Sequence, residues 1–426
     1  VVNKYFYYLR SNRLESHRLG QYWAQRILQT RRPFEEKIAL FWHGHFATSD
    51  DKVRDYRKMA GQIQLFREYG TGNFRDLVLA VAQDPAMLVF LDAGQNIKGR
   101  PNENFAREIL ELFTMGIGNY TEKDIREAAR AFTGWTNDSL KFVVNAELHD
   151  EDVKTFLGQT GNFDGTEIVD IVMSHDSTAR FITEKLYRYF VSADVPPQRI
   201  EHLATLLKAG DYELKPLLKE MFIARDFYAS HAFSSQIKSP VQLVLSTYRK
   251  LGVTTLPGVP DFNESTAALG QKLLYPPNVA GWEGGRSWIT PATLVERGNF
   301  AKQVLFPDIG EYLSPDRALT QIYRDVGGKL DRGLDITSAT VAGSVDGNNM
   351  STMSSSDMMV AISDEEYNTR YGAYHGTIMA MRRVKPVPRV PAAVNLASMV
   401  QDQNLVTVPA VIDYFQKRLL RVPLVK

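Results

Sequence analysis

One edge of a predicted helix, Pro101 to Met115, carries side chains that could do chemistry. Asn104, Glu108 and Glu111 recur there at i, i+4 and i+7, beside an apolar stripe. Two carboxylates that point the same way can bind a hard cation or act as general acid and base. Arg107 is also placed to form i,i+4 ion pairs along this helix, and we favour structural hydrogen bonding and ion pairing over chemistry for these side chains.

Two histidines lie close together in the segment Phe41-Trp42-His43-Gly44-His45-Phe46. His45 falls on the apolar face of a predicted helix and is expected to be a hydrogen-bonded core residue, whereas His43 faces elsewhere. Side chains at i and i+2 of a helix diverge by about 200°, so both imidazoles cannot bind one ion.

These residues define an enzymatic hypothesis, a metal-dependent hydrolase. Its catalytic groups would be His43, Glu108 and Glu111, with Glu108 as the base nearest the apolar edge. Its divalent metal would be bound by His43, Glu108, His149 and Asp150. The sequence does not show whether these ligands approach one another, and no other cofactor is predicted.

A glycine-rich corner offers a different function. Trp282, Glu283, Arg286 and Trp288 surround Gly284-Gly285 and could present an aromatic platform with a polar pair to a polysaccharide. The structural alternative is that both indoles fill the core while the charged pair ties the loop together.

Two common enzyme classes lack their motifs. The glycine-rich stretches have neither a Gly-Lys-Ser/Thr ending nor a preceding strand, which argues against nucleotide binding. No Gly-x-Ser-x-Gly elbow occurs, and Ser174-His175-Asp176 is merely contiguous, with Ser174 predicted to cap the next helix.

Composition limits the remaining possibilities. Lys plus Arg number 50 and Asp plus Glu 49, so no net field favours nucleic acid. No apolar run approaches the roughly 20 residues that span a bilayer. Cysteine is absent, which suits an oxidising compartment, and a start at Val1 without an initiator Met leads us to expect a processed or truncated end. We therefore expect an exported protein, in the periplasm, at the cell surface or secreted.

The elements that must position these groups are predicted to be helices. Thr121 with Asp124 gives a capping-box start, and glycines end several periodic segments. We expect an all-α, multi-helix array of two merged helical subdomains with long ordered loops. The predicted regions are 1–143, 144–310 with the Gly/Trp-rich loop, and 311–426 with a Ser/Met-rich loop at about 338–357.

Several motifs together resemble the bacterial domain-of-unknown-function family number 1800. The first are Phe41 to Phe46, Pro101 to Glu108 and Ala131 to Trp135; others are Lys154 to Gly158, Gly161 to Gly165, Tyr275 to Val279 and Gly281-Trp282. The resemblance implies a helical, often exported protein whose gene commonly accompanies a partner resembling the alkaline phosphatase and sulfatase superfamily. It supplies no established catalytic residues.

The sequence thus favours a non-catalytic scaffold or accessory subunit outside the cytoplasm, acting with such a sulfatase-like partner. The metal-dependent hydrolase and the surface glycan-binding protein remain open as alternatives.

Overall fold

Helices dominate the computed structural model, which describes residues 2–230, 232, 235–307, 364–384 and 387–420. The helices are α1 Val2–Gln29, α2 Pro33–His45, α3 Asp50–Val53, α4 Tyr56–Tyr69, α5 Phe74–Ala82, α6 Pro85–Phe90, α7 Glu103–Glu108, α8 Glu122–Ala131, α9 Gly165–Ser174, α10 Asp176–Phe190, α11 Pro197–Ala209, α12 Leu214–Ile223, α13 Pro240–Lys250, α14 Phe262–Ala268, α15 Pro291–Leu305, α16 Asp364–Arg383, α17 Leu396–Asp402 and α18 Val408–Leu419. The predicted all-α class is confirmed.

The chain divides into two compact units. The smaller comprises Val1–Arg18 and Asp308–Arg389, and the larger comprises Leu19–Pro307 and Val390–Lys426. The boundary expected at 143–144 therefore lies inside the larger unit, whose core is continuous across it. The Ser/Met-rich stretch at 338–357 lies outside the described residues.

Local capping signals start the helices where the sequence places them. Thr121 and Asp124 form the predicted capping box of α8, and Asp164 caps α9. Pro85 occupies the first turn of α6 behind the cap Asp84. Among the described residues, no helix is both long and apolar enough to cross a membrane.

Helix α2 is largely buried in the core of the larger unit. The side chain of Trp42 is completely buried, and its ring stacks against those of Phe46 and Phe74. Its indole N–H donates to the carbonyl of Gly70 at 2.9 Å, so the polar atom is satisfied inside the core. The helix is therefore enclosed where it carries its two histidines.

The predicted helix from 101 to 115 changes type part-way. After α7 it continues as a π-helix, Ile109–Thr114, in which the N–H of Met115 donates to the carbonyl of Leu110, five residues back. The wider turn breaks the i, i+4, i+7 alignment on which the acidic edge of Asn104, Glu108 and Glu111 depended.

Two hairpins interrupt the helices between α8 and α9. Strands β1 Trp135–Asp138 and β2 Lys141–Val144 pair antiparallel, as do β3 Lys154–Phe156 and β4 Gln159–Gly161. Leu157 and Gly158 join β3 to β4 with positive φ at both positions, the conformation of a type I′ turn. Leucine is uncommon there, which hid the turn from sequence inspection.

Candidate functional site

His43 lies where the end of α2 meets the segment that follows α14. Its Nε2 accepts the backbone N–H of Leu274 at 3.1 Å, across 231 residues of sequence. The carbonyl of Leu274 in turn accepts the N–H of Asp50 at 2.9 Å. The imidazole is fully buried, so it acts here as a fastener for the main chain.

Two indoles enclose the imidazole. The rings of Trp23 and Trp282 lie at centroid distances of 5.3 and 5.5 Å from His43, both edge-on. Because Nε2 is an acceptor, the proton of the neutral ring resides on Nδ1, which has no hydrogen-bond partner in the described part of the chain. Burial lowers the pKa of His43 to about 4, so the ring is neutral near pH 7.

A second polar contact joins the same segments. The hydroxyl of Tyr275 donates to Oδ2 of the buried Asp50 at 3.2 Å. The ammonium of Lys272 lies 4.2 Å from the centre of the Tyr275 ring, a cation–π contact. Sequence reasoning missed Asp50 and Tyr275 as site residues, because their 225-residue separation leaves no local spacing signal.

Two glycines permit this junction. Gly281 has φ +79°, and a Cβ built on it would lie 2.1 Å from the carbonyl oxygen of Gly44. No side chain fits between these backbones, so the Trp282 loop can reach His43 only through a glycine at 281.

Replacing Gly281 by alanine should destabilise the fold far more than the same change at Gly99. Both glycines have φ +79°, but a Cβ at Gly99 meets nothing within 4 Å. Gly99→Ala should cost about 1 kcal/mol, the price of left-handed backbone alone. Gly281→Ala should cost at least about 3 kcal/mol, since the junction must separate as well. Urea unfolding of both variants measures the difference, and equal losses would show that the contact is unimportant.

His45 is a hydrogen-bonded core residue, as expected. Its Nε2 donates to the carbonyl of Phe113 at 3.0 Å, which ties α2 to the π-helix. Burial, aided by the charge of Lys185, lowers its pKa to about 3. The ring is therefore neutral and its Nε2 is already committed.

Glu108 is the last residue of α7, and Glu111 lies in the π-helix that follows. Burial and the neighbouring charge of Glu111 raise the pKa of Glu108. Glu111 accepts the hydroxyl of Tyr120 at 2.6 Å. The guanidinium of Arg107 lies 3.1 Å from the carboxylate of Glu103. It also forms an ion pair with the carboxylate of Glu122 on α8, at 2.8 Å. Among the described residues, the carboxylate of Glu108 has no hydrogen bond or ion pair.

His149 and Asp150 belong to a separate network. Nδ1 of His149 donates to the carbonyl of Thr133 at 2.9 Å, and Oδ2 of Asp150 accepts Nε of Arg130 at 2.7 Å. The buried ammonium of Lys154 contacts the carbonyl oxygens of Asp150 at 2.5 Å and Asp152 at 3.0 Å. Two cations already occupy this corner, which opposes the approach of a divalent ion.

The predicted metal ligands do not converge. Within the described ranges, His43, Glu108, His149 and Asp150 do not form a group whose ligand atoms all lie within 4.8 Å of one another. Each is held by its own element, and three of the four already have protein partners. In this structure His43, His149 and Asp150 take part in separate contacts, and metal binding by these residues with Glu108 stays a prediction.

The two tryptophans of the predicted aromatic platform lie in different environments. Trp288 is buried at 6% exposure, while its carbonyl accepts the hydroxyl of Thr293 at 3.0 Å. Trp282 is half-buried against His43, and the charged side chains of Glu283 and Arg286 are exposed. A paired-indole surface for a sugar is therefore not formed, because one indole faces inward.

A family model described as a protein of unknown function (DUF1800) matches residues 7–399. The chain belongs to the DUF1800 family. No curated protein and no solved structure matches this chain. The family description carries no activity, so the function of this DUF1800 member rests on its own geometry.

Three motifs of this DUF1800 protein meet at His43. The segments Phe41 to Phe46, Tyr275 to Val279 and Gly281-Trp282 are joined by the contacts of His43, Asp50 and the two glycines. The motifs are therefore explained at least in part as parts of one structural junction.

A cleft elsewhere on this DUF1800 protein contains none of the predicted site residues. It has a volume of about 740 Å³ and lies between the start of α10 and α11. His175 caps α10 by accepting the N–H of Ser177, while Ser174 donates to Ile171, which corrects the predicted cap. Lys208 pairs with Asp176 across the cleft.

Proposed function

We propose that this protein is a non-catalytic helical scaffold or accessory subunit that acts outside the cytoplasm with a sulfatase- or phosphatase-like partner. The observation that carries the proposal is the state of His43. Its acceptor nitrogen binds the main chain of Leu274, and its ring is enclosed by two indoles. An imidazole held in this way stabilises a fold and cannot reach a substrate.

His149 and Asp150, which the enzymatic hypothesis assigns to the metal, and the core residue His45 support the same proposal. His45, His149 and Asp150 each bind a protein group on a neighbouring segment. Such contacts give a rigid support, which is what an accessory subunit must offer to a partner. The cysteine-free composition suits work in an oxidising compartment. The partner class follows from the family resemblance.

Copurification tests the proposal. The tagged full chain is expressed with a sulfatase-like protein as the candidate partner and purified without chelator. We expect a stoichiometric complex and no hydrolysis by the chain alone. Gly99→Ala is purified in parallel as a control and should bind the partner like the wild type, since a Cβ at this position meets nothing within 4 Å. Recovery of the chain alone contradicts the scaffold proposal. So does about one equivalent of divalent metal that is lost in Glu108→Gln, which would favour the hydrolase.

A further inference from the structure

The outer edge of β2 is open in the described part of the chain. The N–H of Asn145 donates to the carbonyl of Gly134 at 2.8 Å, which identifies Gly134 and Asn145 as a hydrogen-bonded pair of the two strands. Because bonded and non-bonded pairs alternate, Phe142 and Val144 lie at the non-bonded positions. Their backbone N–H and C=O groups therefore point away from β1, and no described residue pairs with them. β1 lies close to α6, and β2 carries outward backbone groups that have no described partner.

Apolar side chains accompany this edge. Leu140, Val143 and Val144 are 46, 39 and 47% exposed, and Lys141 is the charged side chain on the strand. β2 contains no proline and no strand bulge, so its short length and Lys141 are the features that protect its edge. Unpaired amide and carbonyl groups in a row are best satisfied by another extended backbone, which distinguishes this edge from a site for a helix or a small ligand.

We propose that β2 pairs antiparallel with β2 of a second copy of this chain, about a two-fold axis at Val143. In that register Phe142 bonds to Val144 of the second copy, and the reverse, so every outward group of these residues is used. Val143 faces Val143 of the second copy as a close, non-bonded apolar pair. Lys141 faces Asn145 of the second copy, so no like charges are opposed. This self-complementarity favours a second copy over an unrelated strand.

The pairing is short and the resulting dimer is weak. An edge of four residues buries much less than the roughly 800 Å² per partner of a standard interface. We expect a dissociation constant on the order of 100 µM, which makes the association depend on concentration. The pairing does not depend on the sulfatase-like partner, so it can fail while the scaffold proposal stands.

Charge exchange at Val143 tests the symmetry directly. Sedimentation equilibrium of the full chain from about 10 to 500 µM should show a monomer–dimer equilibrium. Val143→Lys alone and Val143→Glu alone should each weaken the dimer at least about tenfold, because like charges face each other on the axis. An equimolar mixture of the two variants should restore association, since opposite charges then meet.

Val153→Lys is the matched control, because Val153 is 63% exposed but lies outside β2, and it should leave the dimer unchanged. Val144→Pro removes one outward N–H without touching the hairpin ladder and should also weaken the dimer. Thermal unfolding confirms that each variant is folded. A wild-type chain that stays monomeric at 500 µM, or a mixture no tighter than the single variants, overturns the proposal.

Discussion

Asp84→Asn should make the protein more stable above pH 7 and leave it nearly unchanged near pH 4. Asp84 is only 5% exposed, and its Oδ2 accepts the N–H of Met87 at 3.0 Å and Nε2 of Gln62 at 2.8 Å. Burial raises its pKa to about 7, although these bonds and the charge of Lys58 oppose the shift. Asparagine keeps a capping oxygen and never acquires a charge.

The sign follows from proton linkage. Between the unfolded pKa of 3.8 and the folded pKa of about 7, the folded state keeps a proton on Asp84 that the unfolded state has lost. Stability from this group is therefore complete below pH 3.8 and lost as pH rises through 7. The total is on the order of 4 kcal/mol, at 1.36 kcal/mol for each pH unit. Above pH 7 the asparagine variant escapes that loss.

Urea unfolding at pH 5 and pH 8 measures the effect in the wild type, in Asp84→Asn and in Asp51→Asn, an exposed control at the start of α3. The free energy of unfolding should fall from pH 5 to pH 8 in the wild type and in Asp51→Asn. In Asp84→Asn we expect this fall to be absent. A variant that is equally destabilised at both pH values would show that Asp84 is ionised and favourable in the folded state.

His43→Ala should cost about 3 to 5 kcal/mol of unfolding free energy. The change leaves a cavity between the indoles of Trp23 and Trp282 and removes the acceptor of the Leu274 N–H. His43→Gln keeps an acceptor oxygen and should recover part of the loss. His202→Ala, at an exposed position on α11, is the control and should be nearly neutral.

Acid should separate the same variants. The folded pKa of His43 is about 4, below its unfolded value of 6.5, so the unfolded state gains the proton first as pH falls. Stability therefore declines from pH 6.5 down to 4 by about 1.4 kcal/mol per unit for this residue. His43→Gln should lack that part of the slope, and acrylamide should quench Trp282 more strongly in His43→Ala. An unchanged acid slope in the glutamine variant would contradict the buried, neutral imidazole.

The sequence predicts those parts of the fold that local chemistry controls. Thr121 with Asp124 starts α8, and the apolar position of His45 predicts its burial, because both signals lie within one helix. The change to a π-helix after Glu108 has no such signal, since it depends on a few backbone hydrogen bonds that reach five residues back instead of four, and no residue type marks that change. The acidic edge was therefore predicted in the wrong geometry.

The candidate site depends on contacts that no local pattern records. The helical pattern predicts that His43 faces away from the apolar side that carries His45, yet both are buried, because the segment that covers His43 comes from residue 274 onward. Trp282 and Trp288 share one motif but face different environments, since the glycines between them allow the chain to reverse. Long-range packing decided each of these outcomes.

Lys154 gives the corner at Asp150 a property that a metal centre lacks. Its ammonium is surrounded by the carbonyl oxygens of Asp150 and Asp152 and the amide oxygen of Asn162, as a bound cation would be. Here the positive charge is attached to the chain and cannot diffuse away, so its effective concentration is fixed by the fold. Neither scarcity of metal nor a chelator in the surrounding medium can empty this position.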